Sequence, residues 1–426
     1  MFRANEIYMI DIKLVRDNPM LIKDKITKKG YDPAIVDNFI LVDTEYRKLL
    51  AESEDLRRRR NQISKNDSAR EEAKQIKVAL QKIEDDLKKK EEKVFQLLNG
   101  IPNLPLDNVP TGKTEANNKV ISVWGDKPDF SFEPKTHLEL GKELGFLNFE
   151  AGAKVTGSQF YFLLGDFALL EFALMEYAFK LLVKEGFVPI ITPDLAKSRY
   201  YLGTGYMPKG SEAQIYTIEG HDLGLIATAE VTIAGLYADE VIPEERLPIK
   251  YIGYSHAFRQ EAGAYGKYSH GLYRVHQFTK AEMFVYCLPE ESEAMHDYLL
   301  ELEERIYQGL GIAYRVLEMC AGDLGAIAAK KYDIEAWMPG RNDYGEVTST
   351  SNCTDYQARN LKIRVRRKNG KIEYLHMLNG TAIAISRTLI AILENYQQKD
   401  GTIIVPDALK EFMEKDIIGF DKRIVK

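Results

Sequence analysis

Two short polar segments carry side chains that can bind a nucleotide and an amino acid. The first is Phe258-Arg259-Gln260-Glu261, which closes a segment rich in aromatic and β-branched residues, and the second spans residues 273–282. A turn containing three glycines separates them, so the pair predicts a β-hairpin. An arginine offers a bidentate fork to a phosphate, an aromatic ring can stack on a base, and a carboxylate can pair with an ammonium group.

The alternation of side chains along a strand predicts how these residues are grouped. Arg259 and Glu261 are predicted to share one face, and the residues of the second segment to share another: His276, Phe278, Lys280 and Glu282. Phe278 and Glu282 are four residues apart, or roughly 13 Å along a strand. That separation suits a purine stacked at one end and an amino acid joined through the α-phosphate at the other. A structural salt-bridge network on a hairpin would use the same residue types.

The elements around this hairpin indicate an α+β domain. Helical patterns at about 167–185, 290–310 and 381–395 alternate with strand patterns, several of which are close together in sequence. Neighbouring strands joined by glycine-containing loops favour an antiparallel sheet flanked by helices. The predicted strands lie at about 187–192, 247–261, 273–286, 344–350 and 372–378. The sequence has no G-x-x-x-x-G-K-[ST] segment and no strand-linked G-x-G-x-x-G, so a bound ATP would not be held by a P-loop or a Rossmann turn.

A long helical hairpin is predicted at about 32–98, after a small docking segment at 10–30. Apolar residues, Phe39 and Leu80 among them, recur in alternating steps of three and four on both sides of Asn66-Asp67-Ser68, a helix-breaking and capping cluster. This spacing is typical of two antiparallel coiled-coil helices. The proline-containing segment 101–105 that follows is typical of a linker. We therefore predict an N-terminal domain at 1–110 and a second domain at 111–426.

Charge is segregated along this arm. Residues 32–56 hold two basic and seven acidic side chains, a net charge of −5, and residues 57–82 hold nine basic and three acidic ones, a net charge of +6. A solvated coiled-coil surface is one interpretation. A polyanion-binding arm is the other, because neutralising phosphates provides most of the non-specific affinity for nucleic acids.

Composition narrows the function classes. The 426-residue chain has a formal net charge of −6, so any nucleic-acid surface must be local. Three cysteines lie far apart without a CxxC pair, which argues against a disulfide framework or a thiolate zinc site and predicts a reducing, cytoplasmic environment. No apolar run approaches the roughly 18–20 residues that a membrane span needs.

The hairpin resembles motif 2 of the class II aminoacyl-tRNA synthetases, and its residues are similar to those of the seryl-tRNA synthetase family. The matching segments are F-R-x-E-A-G followed by G-L-x-R-V-H-Q-F-x-K-x-E. Further matches in order include Thr228-Ala229-Glu230-Val231, Gly322-Asp323-Leu324-Gly325 and Leu378-Asn379-Gly380. The helical hairpin matches the tRNA-binding arm of that family, so the resemblance covers nearly the whole chain.

The resemblance implies a role for each matching residue. Arg259, Glu261 and Arg387 are implied as catalytic: Arg259 on the α-phosphate, Glu261 on the adenine amino group and Arg387 on the γ-phosphate or the adenine face. The implied ATP ligands are Arg259, Gln260, Glu261, Val275, Phe278, Glu346, Val347, Thr348, Ser349 and Arg387. The implied Mg²⁺ ligands, together with the phosphates, are Glu346 and Ser349. The implied serine ligands are Thr228, Ala229, Glu230, Arg259, Glu282, Asn379 and Thr381.

The same resemblance implies the partners. They are L-serine, ATP, tRNA(Ser) and, as an extension of the same activity, tRNA(Sec). The cationic side chains predicted to meet tRNA are Arg57, Arg58, Arg59, Arg60, Lys65, Arg70, Lys74 and Lys77. Pro193 lies where motif 1 of class II synthetases forms a dimer interface, so a homodimer without membrane attachment is predicted.

Several positions depart from the family pattern, and two of them lie in motif 3. Ala382 and Ser386 stand where motif 3 usually has glycine close to its arginine. A β-carbon at a place where backbone approaches ATP changes the fine geometry of the site more than the type of reaction.

Two alternative functions use the same features differently. An amino acid:carrier-protein ligase shares the catalytic core, but such relatives lack a long tRNA arm. A non-catalytic paralogue that only binds RNA would not need Arg259, Glu261, Glu282, Glu346 and Arg387 together. The leading prediction is therefore ATP-dependent ligation of L-serine to tRNA through a seryl-adenylate.

Overall fold

The amino-terminal part of the chain is helical. The structure, a computed structural model, describes residues 10–63, 70–206, 215–261 and 271–424. The chain divides into two compact units, Met1–Pro105 and Leu106–Lys426. The helices of the first unit are α1 (Ile12–Asp17), α2 (Pro19–Lys28), α3 (Ala34–Ile63) and α4 (Arg70–Asn99).

Helices α3 and α4 form the predicted coiled-coil hairpin, each 30 residues or about 45 Å long. In the predicted seam Phe39 and Leu80 are buried, whereas Tyr46, Leu56 and Leu87 are only partly buried. At the base of the hairpin, α1 and α2 pack Val15, Ile22 and Ile26 into a small separate core with α3 and α4. Helices α1 and α2 therefore cover the apolar base of the arm. Farther along the arm, only the narrow seam between α3 and α4 is available for burial.

The second unit is built on an eight-stranded sheet. The order of its strands is β1 (Lys119–Trp124), β10 (Tyr314–Glu318), β11 (Lys330–Met338), β12 (Asp343–Asn352), β15 (His376–Ala384), β9 (Gln277–Cys287), β8 (Ile249–Phe258) and β4 (Val188–Ile191). Neighbouring strands are antiparallel except for β4 and β8 at one edge. Its elements are β1 (Lys119–Trp124), α5 (His137–Leu144), β2 (Leu147–Asn148), α6 (Phe149–Val155), β3 (Phe162–Leu163), α7 (Gly165–Lys184), β4 (Val188–Ile191), β5 (Leu195–Ala196), α8 (Ser198–Thr204), β6 (Gly224–Leu225), α9 (Glu230–Ala234), β7 (Val241–Pro243), β8 (Ile249–Phe258), β9 (Gln277–Cys287), α10 (Ser292–Gly309), β10 (Tyr314–Glu318), β11 (Lys330–Met338), β12 (Asp343–Asn352), α11 (Tyr356–Leu361), β13 (Arg364–Arg366), β14 (Ile372–Tyr374), β15 (His376–Ala384), α12 (Ile385–Asn395), β16 (Ile403–Ile404), α13 (Asp407–Met413) and β17 (Ile417–Ile418).

The main core lies between this sheet and helices α7, α10 and α12. Leu170, Leu174, Leu299, Leu302 and Leu389 are fully buried in it. Burying one such side chain stabilises the fold by about 1.5–3 kcal/mol. The central strands are therefore held rigidly, and they carry polar residues of the candidate active site.

The α+β prediction with an antiparallel sheet is confirmed, but two element predictions were wrong. The single strand predicted at about 372–378 is two strands, β14 and β15, which belong to different sheets. The predicted helix at 381–395 begins only at Ile385, because residues 376–384 continue strand β15 in a ladder with β9. The apolar residues that fit a helical period up to Ala384 are also compatible with a buried strand, where every position can be apolar. Among the described residues, no helix is both long enough and apolar enough to cross a membrane.

Candidate active site

An open cavity lies over the middle strands of the large sheet. Strands β9, β12 and β15 and the start of α12 supply most of its walls, and the residues around the β8–β9 turn supply the rest. The lining residues are Arg259, Glu261, Tyr273, Arg274, Val275, Phe278, Lys280, Glu346, Val347, Thr348, Thr381, Ala384, Ser386 and Arg387. Most of the predicted ATP ligands are in this set.

Arg259 directly follows Phe258, the last residue of strand β8, at the end of the β8–β9 hairpin. Its guanidinium carbon is 5.3 Å from the centroid of the Phe278 ring, and its Nε donates to the carbonyl oxygen of Ala227 at 3.4 Å. The prediction that Arg259 and Phe278 lie on different faces was wrong. Ala257 pairs with Phe278 across the ladder, so both point to one face, and the chain after Phe258 brings Arg259 over the same ring.

Glu261 and Gln260 follow Arg259 outside the strand. Glu261 has a positive φ of 48°, a backbone conformation that costs a non-glycine residue of order 1 kcal/mol or more. Its carboxylate pairs with Arg274 at 2.9 Å, which keeps it at the mouth of the cavity. The Gln260 amide donates to the carbonyl oxygen of Ile215 at 2.9 Å, and its side chain does not line the cavity.

Arg387 and Glu346 form an ion pair on the opposite wall, with Nη1 and Oε1 2.9 Å apart. The Arg387 guanidinium also lies over the Tyr273 ring, 4.8 Å from its centroid. Burial alone would raise the pKa of Glu346, but the charges of Arg387 and Lys331 outweigh it and hold that pKa at about 2. Glu346 is therefore ionised at neutral pH.

A β-bulge places Glu346 and Ser349 on the same face of β12. Regular alternation would put positions three apart on opposite faces. Here Thr348 pairs with Ile334 and Glu346 with Glu335, so Val347 is an extra residue between two ladder pairs. Counted along β11, the partners of Glu346 and Ser349 are two residues apart, which restores the shared face. The predicted pair of Mg²⁺ ligands depends on this bulge.

A further carboxyl group lies opposite Ser349, because Asp333 is its ladder partner. Burial raises the pKa of Asp333, while Lys331 lies 3.1 Å away and opposes that rise. Within the described ranges no three His, Cys, Asp or Glu side chains group into a site that could hold a metal without help. The carboxylate and hydroxyl oxygens of Glu346 and Ser349 instead fit Mg²⁺ that takes its other ligands from phosphates and water.

Glu230 anchors a second, fully buried polar cluster. Its Oε1 accepts hydrogen bonds from Gln357 Nε2 at 2.6 Å and Asn379 Nδ2 at 3.0 Å, and its Oε2 accepts one from the Tyr206 hydroxyl at 3.2 Å. Burial and the nearby charge of Glu282 raise the pKa of Glu230 to about 7, although its hydrogen bonds oppose the rise. A cationic substrate group bound beside Glu230 would offset the cost of burying the charged carboxylate.

Glu282 and Lys280 form a buried ion pair beside that cluster. Lys280 Nζ also donates to the Thr228 hydroxyl at 3.2 Å, and this links strand β9 to the chain just before α9. Ala229 is buried next to Thr228 and packs its methyl group towards Gly253. The predicted serine ligands Thr228, Glu230 and Glu282 are thus close together.

A second bulge positions Thr381 opposite Glu282. The ladder pairs Thr381 with Glu282 and Ile383 with Ala281, so Ala382 is the extra residue on β15. Ala382 is fully buried and does not line the cavity, whereas Ser386 does line it. Of the two departures in motif 3, the β-carbon at Ser386 is the one that faces the cavity.

The predicted tRNA-binding residues form an exposed set on the arm where they are described. Arg57, Arg58, Arg59 and Arg60 are exposed near the end of α3, and Lys74 and Lys77 are exposed on α4. Lys65 lies outside the described residues, and Arg70 is described only as the first residue of α4. Three of the arginines pair with acidic residues of the arm: Arg57 with Glu84, Arg58 with Asp55 and Arg59 with Glu72.

Several residues of the site were missed by sequence reasoning. Lys280 was placed on one face with Phe278 and Glu282, but no role was predicted for it. Tyr273 carried no distinct signal, although its ring lies between Arg387 and Arg341. Gln357 and Tyr206 reach Glu230 from distant parts of the chain, and only the folded topology brings them there.

Comparisons with known proteins point to the same family over almost the whole chain. The seryl-tRNA synthetase N-terminal domain matches residues 9–105, and the tRNA synthetase class II core domain (G, H, P, S and T) matches residues 215–396. The serine–tRNA ligase of Dictyoglomus turgidum is 52% identical over 95% of this chain and 98% of its own length. That of Rubrobacter xylanophilus is 48% identical over 97% of this chain and 100% of its own length.

A solved structure has the same architecture. The seryl-tRNA synthetase from Pyrococcus horikoshii, crystallised with ATP, superposes with a TM-score of 0.90 at 39% identity, covering 97% of this chain and all of that one. The coiled-coil arm, the antiparallel sheet and the motif 2 hairpin therefore occur together in a single known family. This chain belongs to the seryl-tRNA synthetase family of class II aminoacyl-tRNA synthetases.

Proposed function

We propose that Arg259 marks the point where ATP and L-serine react. Its guanidinium lies over Phe278 on one side, while on the other its Nε contacts the backbone of Ala227, next to Thr228. One side of Arg259 therefore faces a ring suited to stacking a purine, and the other faces the polar cluster around Glu230. This placement between two chemically different pockets is the observation that carries the assignment.

The enzyme ligates L-serine to tRNA(Ser) with ATP as a substrate. A carboxylate oxygen of serine attacks the α-phosphorus, the bond to pyrophosphate breaks, and seryl-adenylate forms. A hydroxyl of the terminal ribose of tRNA then attacks the seryl carbonyl carbon, and AMP leaves with the bonding electrons. The attacking carboxylate is already ionised, so positioning and charge stabilisation are the main contributions of the protein to the first step.

In the nucleotide pocket, Phe278 stacks on adenine and Glu261 accepts a hydrogen bond from its amino group. Arg274 holds the Glu261 carboxylate in position for that contact. Arg387 meets the γ-phosphate or the outer face of the base, and Glu346 serves as its counter-charge. Val275, Val347 and Thr348 line the walls, and Gln260 contributes at most its backbone, since its amide is bound to Ile215.

Mg²⁺ is held by Glu346 and Ser349 in this proposal. An ionised carboxylate and a hydroxyl on one strand face are the oxygen ligands that Mg²⁺ accepts alongside phosphates. When bound, the ion neutralises charge on the phosphates. The residues of this chain provide the anchor, and Arg387 keeps Glu346 aimed into the cavity.

In the serine pocket, carboxylates pair with the ammonium group, and hydroxyl and amide groups recognise the side-chain hydroxyl. Glu230 and Glu282 are the buried carboxylates, and Asn379 and Thr381 both lie on β15, two positions apart. A pocket that hydrogen-bonds a hydroxyl strongly rejects analogues that lack it, because its polar groups are then left unpaired. Alanine is therefore expected to be a poor substrate.

The helical hairpin is proposed to bind tRNA through its cationic part. Residues 1–110 form the tRNA-binding domain in this assignment and residues 111–426 the aminoacylation domain. The exposed arginines at 57–60 and the lysines at 74 and 77 neutralise phosphates without burying any apolar surface. This assignment also predicts charging of tRNA(Sec) and a cytoplasmic location.

A homodimer is also proposed. Helix α7 and the edge strand β4, close to Pro193, expose large apolar side chains, among them Phe172 at 67% and Ile191 at 81% of their surface. Scattered exposed apolar residues are ordinary, but apolar side chains concentrated on an edge strand and the helix that packs beside it are typical of an interface. Analytical ultracentrifugation tests this, because a sedimenting species with the monomer mass of 48.6 kDa at micromolar concentration would contradict it.

Pyrophosphate exchange into ATP tests the proposed reaction with each of the twenty amino acids in turn. Exchange should depend on serine, with alanine, threonine and glycine at background. An absence of exchange with every amino acid would favour the non-catalytic paralogue. Serine-dependent exchange without transfer to tRNA, but with transfer to a carrier protein, would favour the carrier-protein ligase.

A further inference from the structure

Gln357 is a buried residue of α11 that contacts the serine pocket from behind. Its Nε2 donates to Glu230 Oε1 at 2.6 Å and to the carbonyl oxygen of Thr204 at 3.1 Å. The side chain is fully buried, and its Oε1 has no hydrogen-bond partner among the residues that the structure describes. Gln357 cannot be explained as a group that contacts ATP, because it is absent from the lining of the nucleotide cavity.

The orientation of the Gln357 amide is determined by its neighbours. Both groups within reach of Nε2 are acceptors, one a carboxylate and the other a backbone carbonyl. A flipped amide would place Oε1 against two oxygens and remove the Gln357 hydrogen bond from both acceptors. The side chain thus uses both of its N–H donors, and it joins Glu230 to the carboxyl end of α8.

Glu230 needs such a partner, because no cation contacts it in the described part of the chain. Its three hydrogen-bond donors are neutral: Gln357, Asn379 and Tyr206. The charged groups that face it are Glu282 and Lys280 on β9, and these two are paired with each other. A buried carboxylate next to a second carboxylate tends to take up a proton.

We propose that Gln357 is a positioning residue for serine, which holds the Glu230 carboxylate in place and favours its charged form until the amino acid binds. The inference rests on the proposed function of Glu230 as a serine ligand. The 2.6 Å hydrogen bond from Gln357 is the shortest of the three that Glu230 accepts from side chains. Its donor is also bonded to the backbone of α8, so Gln357 is held in place from two directions.

The electrostatics point the same way. Burial and Glu282 raise the pKa of Glu230 to about 7, and the hydrogen bond from Gln357 lowers it from what it would otherwise be. Removing this donor should raise the pKa further, so that at pH 7 a larger fraction of Glu230 is protonated. A protonated Glu230 cannot form an ion pair with the ammonium group of serine.

The test compares Gln357→Met, Gln357→Glu and Asn360→Leu in serine-dependent pyrophosphate exchange from about pH 6 to about pH 8.5. Methionine has the length of glutamine but no N–H donor. Glutamate has the shape of glutamine, and it places a second carboxyl group beside that of Glu230. Asn360 is the matched control, because it also lies on α11 and also donates to a backbone carbonyl of α8, that of Leu202 at 2.9 Å, without touching Glu230. Thermal unfolding of each variant reports on the fold.

Gln357→Met should raise the KM for serine by about 10-fold or more at pH 7, the usual effect of removing a hydrogen bond to a charged group. The KM for ATP should change by less than about 2-fold. The penalty in serine KM should shrink as the pH rises, because Glu230 then ionises without help. Gln357→Glu should move the serine KM in the same direction, since two adjacent carboxyl groups share a proton. Asn360→Leu should give a profile with the wild-type pH dependence.

Equal penalties for Gln357→Met and Asn360→Leu, or a penalty that does not change with pH, would overturn the proposal and make Gln357 a packing residue. If Gln357→Met does not fold, the better-matched Gln357→Glu variant decides the same question. Wild-type enzyme without serine-dependent exchange would reject the proposed function itself, which is a different result from normal wild-type exchange and an unaffected Gln357→Met.

Discussion

The catalytic cavity and the helical arm both hold functional charges, but they hold them in opposite ways. In the cavity, Lys280 is buried against Glu282, and Arg387 of α12 pairs with the partly exposed Glu346 of the sheet strand β12. On the arm, Arg57 and Glu84 pair 2.9 Å apart while about half of each side chain is exposed. Breaking a buried pair leaves an uncompensated charge and costs about 3–5 kcal/mol, whereas an exposed pair contributes about 0–1 kcal/mol.

This difference indicates how each region meets its ligand. Groups in the cavity are fixed before substrates arrive, so their geometry decides rate and specificity. Pairs on the arm are easily exchanged for phosphates, so their number and charge decide affinity. The substitutions below should therefore have large and specific effects in the cavity and smaller, salt-dependent effects on the arm.

The largest effect is expected from Arg259→Ala. Its guanidinium lies beside both Ala227 and Phe278, and removing a group that stabilises phosphate charge in the transition state commonly lowers the rate by about 100-fold or more. Pyrophosphate exchange should fall by at least that factor with unchanged thermal unfolding. Arg315→Ala, which removes a guanidinium paired with Glu335, is the control and should retain exchange. Near-normal exchange by folded Arg259→Ala would remove Arg259 from the catalytic residues.

Deleting residues 57–82 should impair the charging of tRNA and spare the formation of seryl-adenylate. Pyrophosphate exchange with serine should stay close to wild type, because the proposed catalytic residues all follow position 225. Charging of tRNA should fall about 100-fold or more, because the deleted segment holds the basic cluster with its net charge of +6. Charging at the full rate would show that the arm is a structural or partner-binding element.

A milder form of the same test replaces Arg57, Arg58, Arg59 and Arg60 with glutamine. Affinity for tRNA should fall, and the slope of log Kd against log salt should flatten by up to about 0.9 for each phosphate that is no longer neutralised. Replacing the same number of exposed cations nearer the base of the arm, Lys88, Lys89, Lys93 and Arg47, is the matched control. An equal reduction of affinity in that control would mean that net charge matters, not its position.

Glu346→Gln should weaken ATP binding about 10-fold and remove most of its dependence on Mg²⁺, because an amide is a weaker ligand for this ion than a carboxylate. Isothermal titration with and without Mg²⁺ measures both. Glu335→Gln is the control, since Glu335 is the ladder partner of Glu346 on β11 and pairs with Arg315 instead. Unchanged affinity and metal dependence in Glu346→Gln would make Glu346 a structural residue.

Sequence reasoning succeeded where the signal is local. The period of three and four residues placed Phe39 and Leu80 in the coiled-coil seam, and both are buried. The motif 2 residues were predicted together because they are adjacent in sequence. The α+β class followed from alternating helix and strand patterns, although β1, β10 and β11 were not predicted.

What the sequence could not supply is non-local or depends on one extra residue. The bulges at Val347 and Ala382 decide that Glu346 and Ser349, or Thr381 and Glu282, face the same way, and no period reveals them. Gln357 reaches Glu230 across 127 positions of the chain. The separation of Arg259 from Phe278 was predicted wrongly, because the sequence does not give the register between β8 and β9. The ladder pairs Ala257 with Phe278, and alternation from Ala257 places Arg259 on that same face.

The smallest expected effect is also the most specific test of how the arm works. Glu84 neutralises Arg57 at the edge of the cationic segment, with both side chains about half exposed. Glu84→Gln should change the free energy of unfolding by less than about 0.5 kcal/mol, because an exposed pair contributes little. It should tighten tRNA binding by about 2-fold at low salt, since Arg57 becomes free to meet a phosphate, and the gain should vanish as salt screens the arm. Glu71→Gln removes the same charge from the same helix, where no described side chain pairs with it, and should give a smaller gain. If Glu84→Gln instead destabilises the arm strongly or leaves tRNA affinity unchanged at low salt, then the pair is a structural lock, and the contrast between a fixed cavity and an exchangeable arm does not hold.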